Sequence, residues 1–338
     1  MSTNLKSNLN AEEKLALALC SLDFDDNQKD EISELLKGIT DWDRYIQLVN
    51  EHGVIALEAY NLRELRLADL LPAHVREVLD NARMKILLRN TWLTGRWKEI
   101  NAILSAAGIK HVVLKGMALE HTIYRSLGLR QMTDTDILVK RDDALKAWNL
   151  LQQHGFAHEP IKSPLHKKII LEIGKHLPTL IKDGYQVEIH HRLFRKNVSN
   201  DLLPEAIDNA GEFSIDGISA YMLNKELHLK FLHEHFEYHL KTTGPHLKQY
   251  LDMVLLDPDN PPLLPDGFIS RSLPHGNSSS RNKVYRDFYQ RLPSSARLRY
   301  LAGDIFPSHD WMKRRYSCGA LKASLLYLPR IGIVFRVI

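Results

Sequence analysis

Two short apolar runs break the helical habit of this chain and limit the folds open to it. Through the first hundred residues the apolar side chains lie in Ala/Leu-rich or helically spaced stretches. These are Leu15 to Leu22, then Ile32, Leu35 and Leu36, then Tyr45, Leu48 and Val49. At Ile109 the pattern changes. His111-Val112-Val113-Leu114 and Asp136-Ile137-Leu138-Val139 are compact and β-branched, the composition of buried strands. A chain with such runs set among helices is neither an all-β protein nor a plain helical bundle.

The surrounding punctuation supports that reading. Pro72 can start a helix that runs through Val75, Val78, Leu79, Ala82 and Met84 toward Leu104, with Gly108 as its C-terminal cap. Met117 to Tyr124 reads as helical, as does Asp142 to His154, which ends at Gly155. His176–Ile181 and Tyr185–Leu193 flank Lys182-Asp183-Gly184, and the Asp-Gly pair predicts a β-hairpin. Helices are expected over Leu223–Leu240 and Leu247–Leu256. Asp257 to Arg281, rich in Pro, Gly and Ser, reads as a long loop, followed by a helical tail with basic faces.

Charge is distributed unevenly. The chain of 338 residues has a formal net charge of +4. Residues 1–100 hold 13 Lys+Arg against 17 Asp+Glu, a net of −4, whereas residues 271–338 hold 13 against 3, a net of +10. Such a basic segment can attract phosphate, nucleic acid or an anionic membrane, or be a solvated helical face. Two cysteines, Cys20 and Cys318, make neither a disulfide framework nor a zinc site by themselves. No apolar run reaches the ~18–20 residues of a membrane helix, so no integral membrane segment is expected. The polar opening MSTNLKSNLN lacks a secretory apolar stretch, which makes a reducing cytoplasm the expected setting.

Three features carry chemistry. Leu114-Lys115-Gly116 runs from a strand into a helix start, where glycine permits close approach and free N–H groups suit phosphate. Asp134-Thr135-Asp136 enters the second strand with two carboxylates at i and i+2, on one face. Their mutual repulsion makes sense around a divalent cation such as Mg²⁺, although a solvated turn with a helix cap is the alternative. Glu188, in Val187-Glu188-Ile189-His190, is an acid between β-branched residues, costly to bury without a partner. If its strand pairs with the one carrying Asp136, three carboxylates could hold two Mg²⁺ ions.

The order Leu-Lys-Gly, Arg-x-x-x-Asp-x-Asp-x-Leu-Val and Val-Glu-Ile-His resembles the uncharacterised nucleotidyltransferase family of the DNA polymerase beta-like superfamily. The motifs fall on Leu114-Lys115-Gly116, on Arg130 with Asp134 and Asp136, and on Glu188 with His190. Asp41-Trp42, His52-Gly53-Val54, Lys225 to Leu229 and Phe306-Pro307-Ser308 with Trp311, Arg314 and Tyr316 extend the resemblance over nearly the whole chain. It implies an α+β fold with a small mixed sheet. A helical cap (1–100) would precede an α/β nucleotidyltransferase core (101–195), followed by a helical domain (196–338) with its loop at 257–281.

The resemblance further implies Mg²⁺-dependent transfer of a nucleoside monophosphate from a nucleoside triphosphate, ATP by default, to an acceptor. Asp134, Asp136 and Glu188 would hold metal and act in catalysis; Lys115, Gly116, Arg130 and His190 would bind the nucleotide. The acceptor is open among small molecule, peptide, protein and RNA. The alternatives are a non-catalytic nucleotide- or RNA-binding module and an accessory protein of a biosynthetic cluster. One departure stands out: Gly116-Met117 replaces the superfamily's usual Gly-Ser or Gly-Gly, losing a hydroxyl that Lys115 could replace with a point charge.

Weaker signals have plainer readings. His228, His235 and His239 share a helical face, open to zinc or to packing, but His233-Glu234-His235-Phe236-Glu237 is not the His-Glu-x-x-His pattern. His190 can orient a substrate, act as a base or make a structural hydrogen bond. Arg130 can pair with the acids or a phosphate. Asp252, on an apolar helix, reads as half of a buried ion pair.

Overall fold

The computed structural model describes residues 9–158, 161–194, 202–242, 244, 246–264, 267–269, 285–286, 288–290 and 292–327. Most of the loop expected at 257–281, and the apolar end from 328, lie outside the described residues. The β-branched runs do form strands, seven in all among the described residues: β1 His111–Val113, β2 Thr135–Val139, β3 Ala157–His158, β4 Leu180–Lys182, β5 Tyr185–His190, β6 Gly211–Ile215 and β7 Ile218–Met222. Their order is β3-β4-β5-β2-β1-β7-β6. The sheet is mixed: β1 pairs parallel with β7 at Val113 and Met222, while β4–β5 and β6–β7 are antiparallel. Helices surround it, so the fold is α+β, as the sequence implied.

By compactness the chain divides into two units. The first comprises Met1–Glu99, Val113–Thr135 and Ala210–Leu273; the second comprises Ile100–Val112, Asp136–Asn209 and Pro274–Ile338. In the first unit, α1 (Ala11–Ala18) and α2 (Asp26–Lys37) start with capping boxes from Asn10 and Asp25, which satisfy helix N–H groups that would otherwise face only water. Then come α3 (Trp42–Glu51), α4 (Ile55–Glu64) and α5 (Ala73–Ala106), a helix of 34 residues starting just after Pro72. Leu15, Tyr45, Val49, Leu57 and Leu79 from these helices share one core with three later ones. Those are α6 (Lys115–Thr122), α10 (Lys225–Lys241) and α11 (Leu247–Leu256), contributing Leu119, Leu232 and Met253. Each fully buried aliphatic or aromatic side chain stabilises this assembly by ~1.5–3 kcal/mol.

The second unit is built on β2, whose five residues are all buried. That burial on both faces explains the continuous apolar run Ile137-Leu138-Val139. Ala144, Ala147, Trp148 and Leu151 form the buried face of α7 (Arg141–Gln153). The β4–β5 turn is the expected hairpin: Asp183 and Gly184 have φ of 51° and 79°, the pair of positive values of a type I′ turn. Asp216-Gly217 makes the same turn between β6 and β7 in the first unit, at φ 48° and 79°. The sequence reading passed over that hairpin because β6 is largely exposed and carries little apolar alternation. It also passed over α8 (Pro164–Ile173) and α9 (Leu202–Asp208).

Further along, α12 (Ser294–Ile305), α13 (His309–Tyr316) and α14 (Ala320–Leu325) follow. Ile169 of α8 packs with Leu292 and Ala296, and the buried Asp304 engages Lys162, Tyr285 and His166. Among the described residues, no helix is long and apolar enough to cross a membrane.

Candidate active-site residues

Glu188 and His190 stand two residues apart on β5, so their side chains leave the same face of the strand. The neighbouring strand in the sheet is β2, with Asp136 as its second residue. His190 Nε2 donates to Asp136 Oδ1 at 2.7 Å and lies 3.6 Å from Glu188 Oε2. Each of the three residues offers a ligand atom within 4.8 Å of the others'. Asp136 and His190 are 4% and 1% exposed, which rules out water as their main source of charge compensation.

His176 belongs beside them and was missed from sequence. Its Nδ1 donates to the Leu177 carbonyl at 2.9 Å, and its Nε2 lies 3.7 Å from Glu188 Oε2. The only signal was its place at the start of the expected hairpin; the bridge between His176 and His190 is a matter of strand register. Thr179 Oγ1 donates to Glu188 Oε1 at 3.1 Å. Burial pushes the Glu188 carboxyl up, but the His190 hydrogen bond and the His176 charge outweigh it and hold it down, to about 2. The His176 imidazole is itself pushed down by burial and by His190. Glu188 is therefore ionised near neutral pH. A buried and a half-buried carboxylate with an imidazole beside both make a donor set that fits a divalent cation, the oxygens being the ligands Mg²⁺ takes.

Asp134 lies just outside β2, half-buried, in the first unit, and accepts from Thr133 Oγ1 at 3.2 Å. It is not one of the three clustered residues. The phosphate-turn candidates are in that first unit too. Lys115, not Gly116, takes the left-handed conformation, with φ 47°. That is a strained backbone for a residue with a side chain, of the kind that persists where surrounding structure enforces it. The reason for glycine at 116 is close packing: a Cβ there would meet Arg130 Nη1 at 3.0 Å and Met132 Cγ at 3.0 Å.

Arg130 is held by Asp252. Its Nε donates to Oδ1 at 3.1 Å and its Nη2 to Oδ2 at 2.6 Å, while Nη1 donates to the Gln131 carbonyl at 2.9 Å. Tyr124 Oη donates to Asp252 Oδ1 at 3.0 Å. Burial disfavours the Arg130 charge, but Asp252 more than offsets it and raises its pKa above the usual value. Asp252 is thus the buried ion-pair residue expected of it. His228 lies in the field of that pair, fully buried and held neutral by burial at a pKa of about 4.

The histidines on α10 resolve in favour of packing. The Gln249 side-chain carbonyl accepts from His246 N at 3.0 Å, so its amide N–H₂ faces His235 Nδ1 at 3.2 Å. His235 then carries its proton on Nε2 and donates to His239 Nε2 at 3.3 Å.

No curated protein and no solved structure matches the chain. A family description does, over residues 39–271, more than half of the length and including the Lys115-Gly116 turn, the Asp-x-Asp segment and β5. With that match over the residues just described, the chain belongs to the uncharacterised nucleotidyltransferase family.

Proposed function

We propose that the protein transfers a nucleoside monophosphate from a nucleoside triphosphate, ATP by default, to an acceptor hydroxyl, in the manner of DNA polymerase beta-like enzymes. The observation that carries this reading is the Asp136–Glu188–His190 cluster, with Asp136 and His190 buried and Glu188 half-buried, in a chain of the nucleotidyltransferase family. In the reaction the acceptor oxygen attacks the α-phosphorus. The bond from that phosphorus to the bridging oxygen breaks, pyrophosphate leaves with the electron pair, and the acceptor proton passes to a base. A bound divalent ion, Mg²⁺ in this reading, supplies charge neutralisation on the phosphates and lowers the acceptor hydroxyl's pKa.

The chain's own residues divide the remaining work. Asp136 and Glu188 provide the carboxylates for the metal, and His190 orients Asp136 through their hydrogen bond. Glu188 is also the carboxylate to which this reading assigns the acceptor proton. Lys115 and Gly116, at the start of α6, are the residues this reading assigns to phosphate binding. Arg130, packed at the Gly116 Cα, adds positive potential there, although Asp252 already takes its bidentate face. The acceptor is small molecule, peptide, protein or RNA.

The test is incubation with MgCl₂ and each α-labelled nucleoside triphosphate, with and without cell extract. Label on an acceptor together with released pyrophosphate is the expected result. Tight nucleotide binding with no transfer to anything would leave a binding module instead.

A further inference from the structure

The first unit holds a lysine that no motif or spacing in the sequence singles out. Lys248 sits at the start of α11, and three hydrogen bonds join that start to the end of α3. His246 Nδ1 donates to the Glu51 carbonyl at 2.7 Å, the Leu247 N–H donates to His52 Nδ1 at 3.1 Å, and the Lys248 N–H donates to the His52 carbonyl at 3.2 Å. His52 Nε2 is tied in turn to the Ile269 carbonyl at 3.3 Å.

This bolting sends the lysine stem across Gly53. A Cβ at position 53 would lie 2.7 Å from Lys248 Cδ and 3.2 Å from Cε. Gly53 also has φ 72°, so glycine serves the turn and the passage of the lysine together. Beyond Gly53 the ammonium reaches the Gln131 carbonyl at 3.4 Å, its one hydrogen bond to a described residue. An ammonium has three donors, and a long bond to one carbonyl leaves most of that capacity unused.

The surroundings explain why this is costly. Burial, then the like charge of Arg130, hold the lysine down at about 8, while Asp252 and Asp134 act in the opposite sense. Asp252 is already committed to Arg130 and Tyr124. Among the described residues the ammonium has no ion-pair partner. Arg130 is also the residue against which Gly116 packs, so Lys248 and the Lys115-Gly116 turn share a neighbour. Two cations side by side, only one of them compensated, suit a multiply charged anion, and lysine binds phosphate as a compact point charge.

We infer that Lys248 is a polyphosphate-binding residue whose ammonium takes oxygens of the nucleotide's triphosphate chain, with Gly53 as the gap through which its stem passes. The identity of the anion rests on the nucleotidyltransferase reading; the lysine's role does not.

The experiment compares wild type with Lys248→Met by calorimetric titration of sodium tripolyphosphate and of ATP, both with MgCl₂, alongside melting curves of the unliganded proteins. Methionine keeps most of the stem over Gly53 and removes the charge. The expected result is a ~10- to 100-fold weaker affinity for both ligands, the scale of a charge-assisted hydrogen bond, with a melting temperature unchanged or higher. Gly53→Ala, which keeps the lysine but crowds its stem, is expected to weaken binding in the same direction.

Equal tripolyphosphate affinity in wild type and Lys248→Met overturns the inference. So does a lower melting temperature with affinity retained, the signature of a structural lysine. Tripolyphosphate binding through Lys248 without nucleotide transfer would remove the transferase reading and leave the lysine's role. Transfer with an unchanged KM in Lys248→Met would do the reverse.

Discussion

Each unit buries charged side chains, yet the two groups are balanced differently. In the first unit Arg130 and Asp252 meet through two hydrogen bonds, Tyr124 adds a third to the acid, and the charges cancel. In the second, Asp136 and Glu188 bring two carboxylates beside His190 and His176, and burial pushes the His176 imidazole down. A cancelled pair serves the fold. Two carboxylates held close together repel each other, which is understandable where a cation is to bind. Charge balance thus distinguishes the Arg130–Asp252 pair, which holds its region together, from the Asp136–Glu188 pair, which can hold a ligand, and substitutions can break that distinction.

Asp136→Ala should show the largest effect, and on activity alone. Transfer is expected to fall by a factor on the order of 10³ or more, the scale for losing an essential electrostatic group. The melting temperature should change little, because the lost repulsion between two carboxylates offsets the hydrogen bond that His190 loses. A melting temperature that drops steeply would place the cluster with the structural pairs.

Next in size is Arg130→Met, where stability is the readout. Removing one partner strands Asp252 in the core, at a cost of about 3–5 kcal/mol in urea unfolding. Adding Asp252→Leu to the same chain should recover most of that. If the single substitution proves harmless, the pair is not what holds this region.

The same region predicts a pH response through Glu120. Its carboxylate accepts the Gly128 N–H at 2.5 Å and the Arg130 N–H at 2.9 Å, yet burial wins and raises its pKa to about 7. Between about pH 4.5 and 7 the folded state keeps a proton that the unfolded chain has released. Stability from this group is thus full below that window and lost as pH rises through it, by at most roughly 3 kcal/mol. Unfolding free energies at pH 5 and pH 8 should show the step in wild type and not in Glu120→Gln; an identical step in both would assign it elsewhere.

The smallest expected effect is a gain. Neither ring nitrogen of His228 has a hydrogen-bond partner among the described residues. Relieving a buried polar group of that kind is worth ~1–3 kcal/mol, so His228→Leu should melt a few degrees higher. A lower melting temperature would mean that the imidazole serves a contact the apolar side chain cannot replace.

How much of this was legible depends on how local each feature is. The strand at Asp136–Val139, the hairpin at Asp183-Gly184 and the shared face of Glu188 and His190 follow from β-branched composition, left-handed turn residues and a period of two. Those are properties of a few neighbouring residues, and α7, α10 and α11 were readable for the same reason. The hairpin at Asp216-Gly217 had the same turn signal but lacked an apolar pattern to frame it, since its strands are mostly exposed.

Partners across the chain are another matter. Asp136 and Glu188 announced themselves as acids beside apolar strands, but that His190 would bond Asp136, and that His176 would stand against Glu188, depended on the register of β-strands. Arg130 was four residues from one acid and 122 from another, and packing chose the distant one. Lys248 stands 195 positions beyond Gly53, and no periodicity connects a lysine to the glycine that admits its stem. Local sequence specifies backbone conformation because dihedral preferences and side-chain spacing act within a few residues. Which charges meet in the interior is decided by the packing of whole elements, because a buried ion's free energy is set by neighbours that the fold brings to it.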